Sequence, residues 1–436
     1  MDQEPSGGNE AGLPRAGLAA DPESRASASS RPLSRLDRPM VRTSAFFFTL
    51  MGPSAISNLG LALWLADRRI SDSWIGLVNA APLIGVLVLG LFVGRIADRT
   101  ANWRAVIAIC SLIAALGSTL LALAHGFLAV ALVWSLTIVP FLAMTPVADA
   151  AAVRVANRAG SSYGAIRIWG TIGFVVTIVV AGFGFQRFGV SAFVPVLVAV
   201  SVVRAMLAFL LPDLRASSNS GAAGPQRPFA VTEFREVKQL MQPWFLAPIF
   251  AGALLSGSHA AQNGFGPLIW KSEGVSDGLI GIYLAIAPAA EIGAMALSHW
   301  VLSRFSARAV LLGCCLIGAA RWCGYVTPLN PFAVGLLQTL HLVTFGFGYV
   351  AIVVFGDAWS HDSIAAQVQS FAMLARNVVA IVTYAAFGVL TENFGARVFF
   401  VAAGMCGAGV VLCGWSLWAK PPSRRPGAHG PTSSTQ

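Results

Sequence analysis

The apolar positions of this chain run continuously and do not alternate. From residue 44 to residue 419, long apolar stretches are separated by short polar loops. A helix rises about 1.5 Å per residue, so about 20 apolar residues cross the hydrocarbon of a bilayer. Stretches of that length lie at 44–66, 75–97, 105–124, 127–148, 164–185, 190–212, 243–269, 278–300, 309–327, 331–355, 367–391 and 396–419. They predict twelve membrane-crossing helices, an all-α integral membrane fold. A membrane barrel would need strands alternating apolar and polar residues, and these stretches do not alternate.

Polar sequence collects in three places. Residues 1–43 are rich in Ser, Ala, Pro, Gly and Arg and carry no early apolar core. They read as a disordered tail and not as a secretory signal. Residues 213–241, with SSNSGAAGPQRP at their centre, read as a linker between a six-helix bundle at 44–212 and another at 242–419. Residues 420–436 form a second tail. The two halves rhyme. Trp74-Ile75-Gly76 opens span 2 as Leu279-Ile280-Gly281 opens span 8, and each is followed by a proline, Pro82 or Pro288. Span 5 leaves through Gln186-Arg187-Phe188-Gly189 and span 11 through Glu392-Asn393-Phe394-Gly395. The offset is near 206 residues in both cases. Two parallel six-helix halves are a transporter architecture. Gly90 and Gly94 make a GxxxG that lets neighbouring helices approach.

Composition sharpens this picture. The chain has 436 residues, 56% hydrophobic and 11% charged, with a mean hydropathy of +0.71. Soluble domains carry about 25% charged residues, so a soluble enzyme, a disordered protein and a nucleic-acid binder are excluded. The net charge of +10 is distributed for a membrane. With the N-terminus in the cytosol, inside segments hold twenty Lys and Arg, and outside segments five: Arg68, Arg69, Arg187, Lys271 and Arg397. That asymmetry predicts both termini inside, at the plasma (bacterial inner) membrane. Arg167, Arg204, Arg321 and Arg376 lie within spans. The cysteines, Cys110, Cys314, Cys315, Cys323, Cys406 and Cys413, all fall in apolar runs and read as small buried residues, neither disulfides nor metal ligands.

At Gly94-Arg95-Ile96-Ala97-Asp98-Arg99, after span 2, the chain resembles the major facilitator superfamily. Ala101 and Asn102 depart from the signature, which usually has a glycine and a basic residue there. Thr145-Pro146-Val147-Ala148-Asp149-Ala150, the run Tyr163 to Phe174, Ala290-Glu291-Ile292, Arg321-Trp322 and the run Gln338 to Gly346 look like the phenylpropionate-permease-like branch. That branch is similar to lactose-permease and nucleoside symporters. The resemblance implies two pseudo-symmetric six-helix halves and transport by alternating access. Asp98 and Arg99, with Gly94, read either as a gate holding the inner side closed against the positive N-terminal end of span 11 or as a solvated loop pair set by topology, with Arg376 either a partner of that gate or a cavity residue.

Ionisable groups inside a bilayer are costly, about 2.5–3.5 kcal/mol for a central Arg or Asp on insertion scales. Helical rise puts Glu291 about 20 Å into span 8, Arg321 about 18 Å into span 9 and His341 about 15 Å into span 10. Three such groups at similar depth form either a proton-coupling cluster or a fixed network joining helices. In lactose-permease-like symporters a glutamate, an arginine and a histidine on these spans serve substrate binding and proton coupling, which the resemblance implies for Glu291, Arg321 and His341. Those symporters carry a further carboxylate one turn after the histidine, where this chain has Thr344. In spans 4 and 5, Asp149 and Arg167, with Phe174 two turns along one face, read as either a substrate-binding group or a salt bridge setting helix register. Arg167 suits a carboxylate or diol through forked hydrogen bonds. Asn58, Asn79, Gln262, Asn263, Tyr283, Gln338 and Asn377 are polar groups able to line a path. His259, alone in span 7, is set aside.

The function expected is secondary active transport of a small organic solute, an aromatic or other organic acid, by proton symport. The alternatives are a proton-antiport exporter of drugs or metabolites and a sugar or nucleoside symporter. Span 5 contains no proline, unlike exporters of this kind. No GxxxxGK[ST] nucleotide loop is present, so a self-contained ATP-driven pump is excluded. An enzyme is not expected, nor a metal or cofactor. The partners expected are the solute, protons and the lipid bilayer around a monomer, with no nucleic acid.

Overall fold

The computed structural model describes residues 37–99, 102–213, 242–327, 330–360 and 364–419, and the elements among them are helices. Ten stretches are long and apolar enough to cross a membrane, judged by length and composition. One of these, 367–418, holds two helices, Ala365–Phe394 and Val398–Trp418, separated at Gly395. The helix Asp72–Arg99 adds another, apolar over Asp72–Leu87. The twelve expected spans thus each find a helical counterpart. In hydrocarbon a backbone group has no water to bond, so every segment must satisfy its own N–H and C=O groups, which a helix does. Large apolar side chains exposed on the helices, such as Leu116, Val180, Met206, Leu297 and Val411, present the surface that acyl chains cover.

Boundaries follow local chemistry. Ser162, Ser276, Ser306 and Asn330 each accept a hydrogen bond from the backbone N–H three residues on, capping spans 5, 8, 9 and 10. Span 5 ends at Gly189 (φ 80°) and span 11 at Gly395 (φ 53°), left-handed positions that glycine adopts without a Cβ clash. The expected tail 1–43 is corrected at its end. A helix, Asp37–Leu50, already begins inside it, with Pro39 in its first turn, where a missing N–H costs nothing, and the Thr43 hydroxyl donating to the Pro39 carbonyl at 2.8 Å. The rest of that tail, 1–36, the linker from 214 to 241 and the tail 420–436 lie outside the described residues.

Three spans are composite. Span 1 is Asp37–Leu50 and Gly52–Asp67, meeting at Met51, and span 7 is Pro243–Ser258 and Ala260–Ser272, meeting at His259. Span 10 is Pro331–Thr339, a π-helical segment Leu342–Phe347, and Gly348–Trp359. π-Segments are rare and gather at functional sites. Of the cysteines, five are buried as expected. Cys323 is exposed, because it falls on the outward face of Ala307–Gly324 while Cys314, Cys315 and Arg321 take the inward one.

At one end of the bundle, two helix pairs cross with their backbones nearly in contact. Span 2 meets span 11: a Cβ at Gly76 would lie 3.1 Å from the Gly388 Cα, and one at Gly388 would lie 2.6 Å from the Asp72 carbonyl. Span 5 meets span 8: a Cβ at Gly182 or at Gly281 would come within 2.8 Å of the Asp277 or Ile178 carbonyl, respectively. Polar groups seal both crossings. The Ser73 backbone N–H donates to Glu392 Oε2 at 3.1 Å and the Ser73 hydroxyl bonds the same oxygen, while a Cβ added at Gly278 would meet Gln186 Oε1. Gly76 corresponds to Gly281 and Gly182 to Gly388 in the internal repeat, so the two crossings are one motif used twice.

One buried charge stands apart. Arg204, in Phe193–Phe209, is 0% exposed, and its three guanidinium nitrogens have no hydrogen-bond partner among the described residues. Its guanidinium carbon lies 5.4 Å from the centre of the Phe141 ring. A cation–π contact returns about 0.5–2 kcal/mol, whereas removing an ion from water costs several kcal/mol even after relaxation. The ring alone does not offset the burial.

Candidate functional site

Arg321, 0% exposed, is the hub of a polar string between spans 7, 8, 9 and 10. Its Nε donates to the Leu337 carbonyl at 2.8 Å. Its Nη2 donates to Gln262 Oε1 at 2.8 Å and Gln338 Oε1 at 3.1 Å. Its Nη1 donates to the Thr344 hydroxyl at 3.0 Å and faces His259 Nε2 at 3.3 Å and His341 Nδ1 at 3.4 Å. The guanidinium carbon sits 4.5 Å from the Trp322 ring centre. His341 Nε2 meets Glu291 Oε1 at 2.8 Å.

Donor and acceptor chemistry fixes the protons in this string. A guanidinium only donates, so His341 Nδ1 accepts, and its Nε2 carries the hydrogen that goes to Glu291. The Leu255 carbonyl only accepts, so His259 Nδ1, 2.9 Å away, donates to it. His259 Nε2 is then an acceptor, and the Thr344 hydroxyl, 3.1 Å away, donates to it while accepting from Arg321. Both imidazoles are neutral in this arrangement. A proton added to either would point at Arg321. Glu291, its side chain 28% exposed, is the one member of the string able to take a proton without that conflict.

The expected trio is therefore brought together, with a correction. Glu291 does not pair directly with Arg321 in the described contacts; His341 stands between them. Gln338 belongs to the string as well, and its Nε2 has no partner among the described residues. His259, set aside in the sequence, is a full member, and Thr344, marked only as a missing carboxylate, bridges Arg321 to His259. The spacing carried a signal for both. His259 and Gln262, three apart on span 7, share a face, as do Gln338, His341 and Thr344 on span 10, and the π-segment carries the span 10 stripe through Thr344 and Phe345. Phe345 stacks on His341 with ring centres 4.9 Å apart and planes 9° apart.

In the other half, Asp149 is held by Tyr163, whose hydroxyl donates to Oδ1 at 2.8 Å. The expected Asp149–Arg167 bridge is corrected to this phenol contact; the ion pairs found among the described residues do not include one between Asp149 and Arg167. The Arg167 guanidinium lies against Gly170, where a Cβ would be 2.8 Å from Nη1. Phe174 packs against the main apolar core.

A cavity of about 510 Å³ opens among spans 7, 10 and 11, away from the glycine crossings. Its wall is largely apolar, with Ile249, Ile352, Phe345 and Met373, and its polar groups include Ser256, Thr344, Gln369, Asp357 and Arg376. Thr344 belongs to both the cavity and the string. Arg376, with its guanidinium carbon 5.4 Å from the Tyr349 ring centre, lines this cavity. Gly94, Asp98 and Arg99 fall in the last turns of Asp72–Arg99, and the gate contact expected for them lies outside the described side chains.

Comparison with known proteins agrees with this layout. The profile of the MFS_1 like family matches residues 42–402. A probable 3-phenylpropionic acid transporter of Escherichia coli is 28% identical over 350 residues, covering 78% of this chain and 88% of that protein. A maltose permease of Geobacillus stearothermophilus is 27% identical over 266 residues, 61% of this chain and 65% of that protein. Among solved structures, the nucleoside transporter NupG superposes with a TM-score of 0.74 at 19% identity, covering 88% of this chain and 98% of that one. A D-xylose-proton symporter superposes with a TM-score of 0.64 at 14% identity, covering 86% and 96%. The chain belongs to the MFS_1 like family: it is a multi-pass membrane transporter of the major facilitator type for small molecules, not an enzyme.

Proposed function

We propose that the protein carries a small organic acid into the cell together with a proton, by alternating access, as a monomer that needs no cofactor beyond the proton gradient. The observation that carries this is the polarity of the Arg321–His341–Glu291 string. With Glu291 ionised, its charge cancels that of Arg321. With Glu291 protonated, the string is left with one positive charge facing a largely apolar cavity through Thr344. A monoanion complements that state and is repelled less strongly once it has formed, so proton and acid load together and the loaded site is neutral. The apolar wall, with Arg376 beside it, suits a ring bearing a carboxylate. The name of the Escherichia coli relative supports an aromatic acid. The distribution of basic residues supports cytosolic termini and a bacterial inner membrane. The glycine crossings then close the outside, and the cavity belongs to an inward-facing state.

The test is uptake of labelled 3-phenylpropionate into proteoliposomes, measured as the initial rate above that of protein-free vesicles. One pH unit, acid outside, should drive about tenfold accumulation for one proton per monoanion, and a protonophore should abolish it. Uptake indifferent to the protonophore, or uptake confined to sugars or nucleosides in a parallel panel, would overturn the reading. A second variant probes the other half. In Gly170→Ala the new methyl displaces the Arg167 guanidinium. Because the side chain is flexible, stability should hardly change, while the KM for the acid should rise about tenfold, equivalent to about 1.4 kcal/mol. An unchanged KM would remove Arg167 from the substrate path.

A further inference from the structure

We propose that Arg204 holds a small inorganic monoanion of the halide class at the joint of spans 3, 4 and 6, remote in sequence and in partners from the Glu291–His341–Arg321 string. Arg204 lies in Phe193–Phe209 and is 0% exposed. A guanidinium carries five N–H donors on a rigid planar fork and no acceptor. Among the described residues none of its three nitrogens has an acceptor. The described ion pairs are Arg104–Asp213, Lys271–Asp277 and Glu291–His341, and Arg204 is in none of them. The surrounding cluster contains Cys110, Phe141, Met144, Ala208 and Leu211, which supply neither a negative charge nor a strong acceptor. A second donor stands in the same cluster. The Ser111 hydroxyl, 0% exposed, is spent on the Met144 sulfur at 3.3 Å, a weak acceptor that an anion would outcompete. Ser201, one turn before Arg204, is already bonded to Ser118 at 3.1 Å and ties span 6 to span 3 just beyond the site.

The demand is thus for one negative charge with acceptor capacity, in a closed apolar setting. Size and hydration select the class. A monoatomic, singly charged anion sheds its water more cheaply than sulfate or phosphate and fits where the side chain has no solvent-facing surface. A phospholipid phosphate shares the charge but would need the guanidinium at the lipid surface, which its burial opposes. Once seated, the anion converts an unpaired buried cation into a neutral pair bridging three helices.

The experiment uses the purified full chain in detergent, with potassium chloride replacing potassium gluconate at fixed ionic strength. The thermal midpoint should rise by several degrees and saturate with chloride, as expected for a ligand that binds only the folded state. Bromide should substitute for chloride, and sulfate or added phosphatidylglycerol should not. Arg204→Met should abolish the response, and Arg204→Lys, which keeps the charge but loses the fork, should require at least about tenfold more chloride. Chloride-35 NMR on the wild-type protein should show excess line broadening removed by bromide, a readout independent of whether the Met variant folds. A wild-type midpoint that does not respond to chloride, or an equal response in Arg204→Met, would overturn the site. Stabilisation by phosphatidylglycerol or sulfate but not by chloride would overturn it too, assigning Arg204 to a phosphate or sulfate group instead.

Discussion

Glu291→Gln should abolish proton-driven accumulation while leaving substrate exchange largely intact. The amide keeps an oxygen that accepts from His341 Nε2, so the hydrogen bond at 2.8 Å survives and the string stays assembled. What disappears is the ability to lose a proton. Arg321 is then uncompensated in every state, and binding of a monoanion should become tighter and independent of pH. Exchange needs the cavity to alternate but no net proton release, so it continues. Because one neutral hydrogen bond replaces one charge-assisted bond, the stability change should stay within about 1–2 kcal/mol. Counterflow beside net uptake in the same proteoliposomes checks this, with thermal unfolding alongside. If Glu291 were merely structural, both transport modes would fall with the folded fraction. Normal uphill accumulation by the variant would move the proton site elsewhere, to Asp149 or His341.

Gly76→Leu combined with Gly281→Leu should stop transport altogether. At Gly76 the new Cβ meets the Tyr384 carbonyl and the Gly388 Cα, and at Gly281 it meets the Ile178 carbonyl at 2.8 Å. These are backbone atoms, so no side-chain rotation relieves the overlap and the helices themselves must part. Both crossings would be held open at the end where Ser73 now bonds Glu392. Substrate binding should persist and turnover should fall below detection. In Ser73→Cys, half-buried beside Glu392 in the native arrangement, labelling with a membrane-impermeant maleimide added from outside should be faster in the double-leucine protein than without the leucines. Wild-type turnover, or unchanged labelling, would show that the end opens by a route other than these crossings.

Much of this was readable before any coordinates. Continuous apolar runs fix helix against strand, because a bilayer admits only helices and closed barrels, and barrel strands alternate apolar with polar residues. The depth of Glu291, Arg321 and His341 follows from counting residues along helices, and their meeting follows from the rarity of charge in hydrocarbon. The order of contact did not. Whether Glu291 reaches Arg321 directly or through His341 depends on rotation about each helix axis, and span 10 changes its rotation inside the π-segment Leu342–Phe347. For the same reason Thr344 read as a loss of chemistry when it is the link between Arg321, His259 and the cavity. The signal for His259 is weak: it lies only in the face shared with Gln262, three residues on, and neither residue points to Arg321 until the fold is known. Asp149 with Arg167 was the natural opposite-charge guess, and the nearer Tyr163 won because a phenol one turn before Arg167 on the same helix reaches Oδ1 at 2.8 Å.

The repeated glycine crossing divides labour within the molecule. Each half contributes one glycine to each crossing, so the moving parts are written twice. The Glu291–His341–Arg321 string is written once: at the repeat offset of 206, Glu291, Arg321 and His341 correspond to Gly85, Ala115 and Ser135, none of which is ionisable in a membrane. The first half therefore has no counterpart of that string, and carries Asp149 and Arg167 in its spans instead. In evolutionary terms the lesson is separability. On the function proposed above, substitutions around Arg321 and the cavity retune what is carried without touching either crossing, so a change of cargo need not cost the machine its motion.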